Sequence, residues 1–444
     1  MTMKHLLSLL FAGILFFALP VSPKAMEVVT YANPVNVLVY QGNSVSILIN
    51  GNYQLFNKQT GAITPLSTNT TLTVQYTPTG IVVSDGTSTY TSTLGFTIQE
   101  TKGVYALSLL KVNTTLYRGS ADITSQTNKL QVVNILDMED YLKGVVPNEM
   151  PSSWPKEALK AQAIAARSYA EKTKGTLTTN PNTQVYGGYS SEKATTNQAV
   201  DETKGLYVKY NGQVIQAFFH STSGGKTANV GDVWNSNQSL FPYLSSVSDP
   251  YESSPYSNWS FTFTPTTILQ SFGFTASSTV LYDVSITKKG VNGEIGAVTV
   301  MTSAGEKTIS GNESTIRSLF PINDTRYYNK LLSNWFTITV NKDGGLYVQT
   351  LAGKTPLYSL SGQQVQTTAG VQAITDAGNV KVQTTDGVTT IPSTIGTVTS
   401  VIVNGKGWGH RIGMSQYGAK AFAERGWTAE QILQYYFKGA VVSK

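Results

Sequence analysis

The chain contains no cysteine. That excludes disulfides, a thiol nucleophile, thiolate zinc sites and a lipid-bearing cysteine, but export requires none of these. Charge is sparse: charged residues make up 13% of the 444 residues, with a net charge of +6. No block of lysine and arginine occurs, which argues against nucleic acid as a partner. Histidine is nearly absent, limited to His5, His220 and His410. Long apolar runs are also missing, with one exception. Leu6 to Leu19 follows Lys4 and His5 and precedes Pro20, Pro23 and Ala25. This is the layout of a secretory signal, too short for a comfortable membrane span. Cleavage is expected after Ala25, with an uncleaved anchor as the alternative, and the location expected is secreted.

Tyrosine, threonine, serine, asparagine and glycine are abundant. Such a composition suits a β-rich exported protein with an uncharged polar surface. The length exceeds what one core usually serves, so two or three domains are expected. Residues 26–112 alternate apolar and polar, as in Val35-Asn36-Val37-Leu38-Val39 and Ser44-Val45-Ser46-Ile47-Leu48-Ile49. Turn pairs such as Thr60-Gly61 and Asp85-Gly86 separate the runs, which predicts an antiparallel β-domain. Residues 336–398 turn Thr-, Gly- and Val-rich, and read as a β insertion. The segments on either side, 113–335 and 399–444, form one core.

That core is organised around Glu149. No basic residue lies within five positions of it, and Pro147 and Pro151 flank it. Ser152-Ser153-Trp154-Pro155 then reads as a helix start. The helix runs from Lys156 to about Lys172, with Leu159, Ala163, Ala166 and Ala170 at helical spacing. A stripe so small lets another element pack close. A carboxyl at the mouth of such a helix can have its pKa raised by desolvation and act as an acid near neutral pH. Taken alone, the pattern fits an ordinary loop glutamate better.

Downstream, a second helix is predicted over Glu192–Lys204, ending at Gly205. A hairpin follows: Gly205 to Tyr210, a turn at Asn211-Gly212, and a strand from Gln213 to Phe219. That strand delivers His220-Ser221-Thr222-Ser223-Gly224-Gly225. The chain ends with Gly407-Trp408-Gly409-His410-Arg411-Ile412-Gly413-Met414-Ser415-Gln416-Tyr417-Gly418, a short helix, and a capping box at Thr428 and Gln431 opening a last helix through Tyr436.

Val146-Pro147-Asn148-Glu149-Met150-Pro151, the helix from Trp154 to Ala170, the His220 turn and the Trp408–Ala419 segment together resemble the SpoIID/LytB family of bacterial cell-wall proteins. The resemblance implies an α+β fold: β-rich, with mainly antiparallel sheets and a few helices around a central cleft. It implies that Glu149 is the catalytic acid/base of a peptidoglycan lytic transglycosylase. Tyr169, His220, Ser221, Ser223, His410, Ser415 and Gln416 are the candidates for binding substrate. Glycan strands are the expected partner, with a wall amidase or other hydrolase as a second. The resemblance carries a rival reading as well, that of a non-enzymatic enhancer of a separate hydrolase. No cofactor is expected. Zinc needs three or four protein ligands, and two histidines without cysteine do not supply a structural site. A serine nucleophile is disfavoured because no Gly-x-Ser-x-Gly elbow and no orienting acid are present. The family pattern usually has glycine after the histidine, where this chain has Arg411.

Overall fold

The computed structural model describes residues 26–173, 175–343, 346–351, 353–357, 360, 362–375, 380–385, 387–390 and 396–444. The expected export signal over 1–25 lies outside them. Contacts divide the chain into two compact units, one ending at Asp137 and one beginning at Met138.

The first unit is built of two antiparallel sheets. One orders its strands Pro34–Gly42, Lys129–Asp137, Ser120–Gln126, Phe96–Glu100, Tyr53–Asn57 and Ile63–Leu66. The other orders Thr115–Tyr117, Leu109–Val112, Ser44–Asn50, Thr71–Thr77, Gly80–Ser84 and Thr89–Ser92. The alternation in the sequence becomes alternation of faces: Val35 and Val37, Val45 and Ile47, Leu72 and Val74 are all buried. Sequence pattern alone ends this domain at 112. Strands Ser120–Gln126 and Lys129–Asp137 instead pair with Phe96–Glu100 and Pro34–Gly42, so they complete its first sheet. Their hydrogen-bond partners lie far back in the chain, where local pattern gives no sign of them.

The second unit holds two apolar cores. The first surrounds the helix Lys156–Thr173. Ala158, Ala161, Ala163, Ala165 and Ala166 are all fully buried, so the helix is enclosed on more than its predicted stripe. Small side chains let the helices Ala194–Glu202, Gln416–Ala423 and Ala429–Tyr436 pack against it. The last of these starts with the predicted Thr428–Gln431 capping box. Ile412, Met414, Phe422, Leu433 and Phe437 from the chain end fill the same core.

The second core lies under two three-stranded antiparallel sheets. One is ordered Trp259–Phe263, Thr397–Gly405, Phe336–Asp343; the other Leu281–Lys289, Ile295–Thr302, Gly305–Ser310. Helices Pro265–Ser271 and Glu313–Ser318 cover it with Ile268, Leu269 and Ile316. The predicted insertion therefore needs narrower limits. Phe336 and Val398 are buried in this core, and Phe336–Asp343 pairs along Thr397–Gly405. Between those strands lie three hairpins: Leu346–Thr350 with Gly353–Leu357, Gln364–Thr367 with Gly370–Ala373, and Lys381–Thr384 with Gly387–Thr390.

A second correction concerns the hairpin before His220. Its first strand, Tyr207–Tyr210, pairs with the short strand Gln213–Val214 on one edge and with Val441–Ser443 on the other. Phe219–His220 pairs in parallel with Met414–Ser415 instead. This pairing brings together two motifs separated by nearly 200 residues of sequence.

Candidate active site

Glu149 closes a one-turn helix, Val146–Glu149, with Pro147 in its first turn. Met150 is already extended, with φ −129° and ψ 137°, as the residue before a proline prefers to be. Asn148 pins the turn by donating from Nδ2 to the Gly144 carbonyl at 2.7 Å and to Ser191 Oγ at 2.9 Å. The carboxylate is held from two sides. The Val185 N–H donates to Oε1 at 2.9 Å, and Gln416 Nε2 donates to Oε2 at 3.3 Å. Gln416 Nε2 also reaches Gln162 Oε1 at 3.4 Å. Burial raises the Glu149 pKa; the two donated hydrogen bonds oppose the rise without cancelling it. The group is packed by protein yet keeps one face on an open cleft.

That cleft has a volume of about 520 Å³. Among the described residues, Glu149 is the only carboxylate that lines it, and no lysine or arginine does. Aromatic rings make up much of the wall. Trp154 meets Tyr417 edge-on at 4.8 Å, Trp234 lies 5.0 Å from His410, and Tyr256 lies 4.5 Å from Trp408. Tyr169 lines it too, its hydroxyl pKa raised by burial and further by the Glu149 charge.

The two histidines share one residue, Ile412, through its carbonyl and its N–H. His220 Nδ1 bonds the Ile412 carbonyl at 3.1 Å, and the Ile412 N–H donates to His410 Nδ1 at 3.0 Å. A carbonyl can only accept, so His220 carries its proton on Nδ1. An N–H can only donate, so His410 carries its proton on Nε2. Burial pulls the His410 pKa down to about 4. Burial, and then the neighbouring His410, hold His220 well below the usual value. Both rings are therefore neutral near pH 7, with centroids 5.5 Å apart.

Of the predicted binding residues, Tyr169, His220, Ser221, His410 and Gln416 line this cleft with Glu149. Ser223 and Ser415 do not. Both are fully buried beneath it. Ser223 Oγ donates to Asp249 at 3.1 Å, and Ser415 Oγ donates to Glu252 at 2.6 Å while accepting from the Gly418 N–H. Glu252 also accepts from the Ser223 and Gly224 N–H groups, and Asp249 from the Tyr436 hydroxyl at 2.9 Å. These serines cap and cross-link the loops that carry the cleft. Burial, and then the nearby Glu252 charge, push Asp249 up to about 7.

Arg411 occupies the position where glycine was expected, and its φ of +63° is the left-handed value glycine would favour. The side chain is wholly buried. Nε donates to the Ser223 carbonyl at 2.9 Å and one terminal nitrogen to the Lys226 carbonyl at 2.8 Å. The guanidinium stacks 4.1 Å from the centre of Trp335, and its other nitrogen lies 3.7 Å from the buried Glu294 carboxylate. Burial lowers the Arg411 pKa to about 10 and raises that of Glu294; each charge partly offsets the shift of the other.

The sequence reading missed the aromatic lining. By sequence Trp154 reads as part of a helix start and Tyr417 as part of a short helix. Their common signal is an aromatic placed beside a Pro or Gly turn within a motif, as at Trp154-Pro155, Trp408-Gly409 and Tyr417-Gly418.

The SpoIID family model (Stage II sporulation protein) matches residues 126–210. The chain is 34% identical over 321 residues to the amidase enhancer of Bacillus subtilis (strain 168), a match covering 68% of this chain and 40% of that protein. It is 28% identical over 340 residues to stage II sporulation protein D of the same organism, covering 71% of this chain and 76% of that one. Stage II sporulation protein D of Bacillus amyloliquefaciens is 27% identical over 375 residues, covering 78% and 84%. With the family model covering the Glu149 turn and the long helix, and the relatives spanning most of this sequence, the chain belongs to the SpoIID/LytB family, which is related to sporulation and the cell wall.

Proposed function

We propose that the protein cleaves peptidoglycan glycan strands as a lytic transglycosylase, with Glu149 as its single acid/base. The observation that carries this reading is one carboxylate of raised pKa in a cleft otherwise lined by neutral polar and aromatic side chains. A glycosidase that hydrolyses needs two carboxyls flanking the bond; this cleft offers one. A lytic transglycosylase manages with one because the muramic sugar supplies the nucleophile.

Protonated Glu149 donates to the glycosidic oxygen as the C1–O bond breaks. The carboxylate then takes the proton from the C6 hydroxyl as that oxygen bonds to C1, closing the 1,6-anhydro ring. The proton returns to Glu149 and no water is consumed. Gln416 and the Val185 N–H orient the carboxylate through both steps. Neutral His220 and His410 add no positive charge against the developing oxocarbenium ion. Aromatic faces pack on pyranose rings and supply binding without charge. The test is product analysis: purified protein incubated with glycan strands should release anhydromuramic ends detectable by mass spectrometry.

The 34% identity to an amidase enhancer favours a second reading, in which the protein modulates a separate wall hydrolase. Absence of anhydromuramic product, with stimulation of an added amidase, would favour it. Either role requires export. Amino-terminal sequencing of wall-associated protein should find a start near Met26; an intact Met1 would favour an anchor.

A further inference from the structure

A second pocket lies in the sheet region of the second core, with a volume of about 540 Å³, inside the range of roughly 300–1,000 Å³ typical of small-ligand sites. Two indoles form its walls. Trp259 lies flat over Gly405, where a Cβ would come within 2.1 Å of the ring, and its Nε1 donates to the Gly407 carbonyl at 2.8 Å. Trp335 is backed by the Arg411 guanidinium at 4.1 Å. Both rings are therefore fixed in place, and each is only partly buried. Lys289 and Lys406 stand at the rim, exposed; Lys406 Nζ lies 5.4 Å from the centre of the Trp335 ring, neither lysine has an ion pair among the described residues, and none of the described carboxylates lines the pocket. Asn404 and Thr337 add hydrogen-bonding groups to the lining.

Fixed indole faces suit the apolar faces of pyranose rings. Amide and hydroxyl groups in the lining suit sugar hydroxyls, and two ammonium groups without a carboxylate partner call for an anion. The catalytic cleft differs on the last count, since no cation lines it. We propose that this pocket is a second saccharide site, which takes a pyranose carrying a carboxylate or a phosphate. The carboxylate would come from a muramic-type sugar, the phosphate from a sugar-phosphate polymer. The choice of saccharide over other flat anions leans on the cell-wall relation of the family; it does not depend on the chemistry assigned to Glu149. Trp335 touches Arg411, which follows the cleft residue His410 in the chain.

The experiment uses full-length mature Glu149→Gln protein labelled with 5-fluorotryptophan, so that no substrate turns over. The chain has 6 tryptophans, whose fluorine resonances are assigned by single Trp→Phe changes. Four probes are titrated: N-acetylmuramic acid, N-acetylglucosamine 1-phosphate, neutral N-acetylglucosamine and adenosine monophosphate. The expected result is movement of the Trp259 and Trp335 signals with at least one anionic sugar, and which one identifies the source of the anion. Lys289→Gln and Lys406→Gln should each weaken that binding about two- to fivefold, the range for an exposed ion pair. The proposal is overturned if neither anionic sugar moves these signals, if the neutral sugar binds equally well and the lysine changes do nothing, or if adenosine monophosphate binds in preference. The Trp154, Trp234 and Trp408 signals report the cleft in the same spectra. Loss of one site is thus read separately from loss of the other.

Discussion

Replacing Arg411 tests the physics of the loop that carries His410. Two variants are informative together, Arg411→Ala and Arg411→Gly. Both leave the Ser223 and Lys226 carbonyls without their donors and bury Glu294 without its cation. Hydrogen bonds from a charged donor contribute about 1.5–3 kcal/mol each, so two lost bonds cost about 3–6 kcal/mol. Alanine keeps the left-handed strain at φ +63°; glycine relieves about 1–2 kcal/mol of it. The glycine variant should therefore be destabilised by about 1–5 kcal/mol and the alanine variant by about 3–6 kcal/mol, the two differing by the strain of about 1–2 kcal/mol. This ordering opposes the usual one, in which Gly is the less stable residue through its unfolded-state entropy. The deficit should also depend on pH. Burial already raises the Glu294 pKa, and loss of the cation raises it further. With its folded pKa above its unfolded value, Glu294 opposes folding as pH rises and stops doing so when protonated. The deficit should shrink from pH 8 to pH 5. The assay is urea unfolding of wild type and both variants at the two pH values. If the alanine variant equals or exceeds the glycine variant in stability, the strain argument is wrong.

Two further outcomes are expected. Deleting residues 344–396 with a short Gly/Ser bridge should leave a folded protein, whereas removing 336–398 should unfold the second core by taking out Phe336 and its strand; circular dichroism and melting separate the two. Asp249, raised to about 7, holds its proton in the folded state over a range where the unfolded chain, at about 3.9, has lost it. Stability from this group is then lost as pH rises from about 4 to about 7, so Asp249→Asn should gain stability relative to wild type across that window. A difference between the two that does not change with pH would contradict the assignment.

Local chemistry was legible in the sequence where the signal is local. The Thr428–Gln431 capping box, the helix after Pro155 and the alternation in the first unit all read correctly, because each depends on residues a few positions apart. The strand from Gln213 was read too far. The residues through Phe219 carry strand-forming side chains, but the Phe218 N–H turns back to the Gln216 carbonyl and Phe219–His220 pairs with Met414–Ser415. No local pattern encodes a parallel partner so distant. The Thr- and Val-rich strand Phe336–Asp343 looks like the hairpins that follow it; only its pairing with Thr397–Gly405 assigns it to the core. Ser223 and Ser415 looked like cleft residues because they neighbour ones that are. Their partners, Asp249 and Glu252, are remote in sequence, and the hydrogen bonds to those carboxylates decide the serines' role. Arg411 breaks a local rule, and its compensation comes from the distant Trp335 and Glu294.

The central claim is that one carboxylate does both proton transfers, and Glu149→Gln addresses it most directly. The amide retains the shape and still accepts from the Val185 N–H, but it can neither donate an acid proton nor take one back. Loss of general acid–base catalysis costs about 10²- to 10⁴-fold, and one group serving two steps puts the expectation at the upper end. Glu430→Gln, on an exposed helix position away from the cleft, serves as control. Glu157 would not, because it accepts from the Ala429 N–H at 2.8 Å. The rate of anhydromuramic product release, measured beside thermal melting and glycan binding, should fall by about 10⁴-fold in a folded Glu149→Gln protein that still binds strands. A wild-type rate in that folded protein would contradict the account.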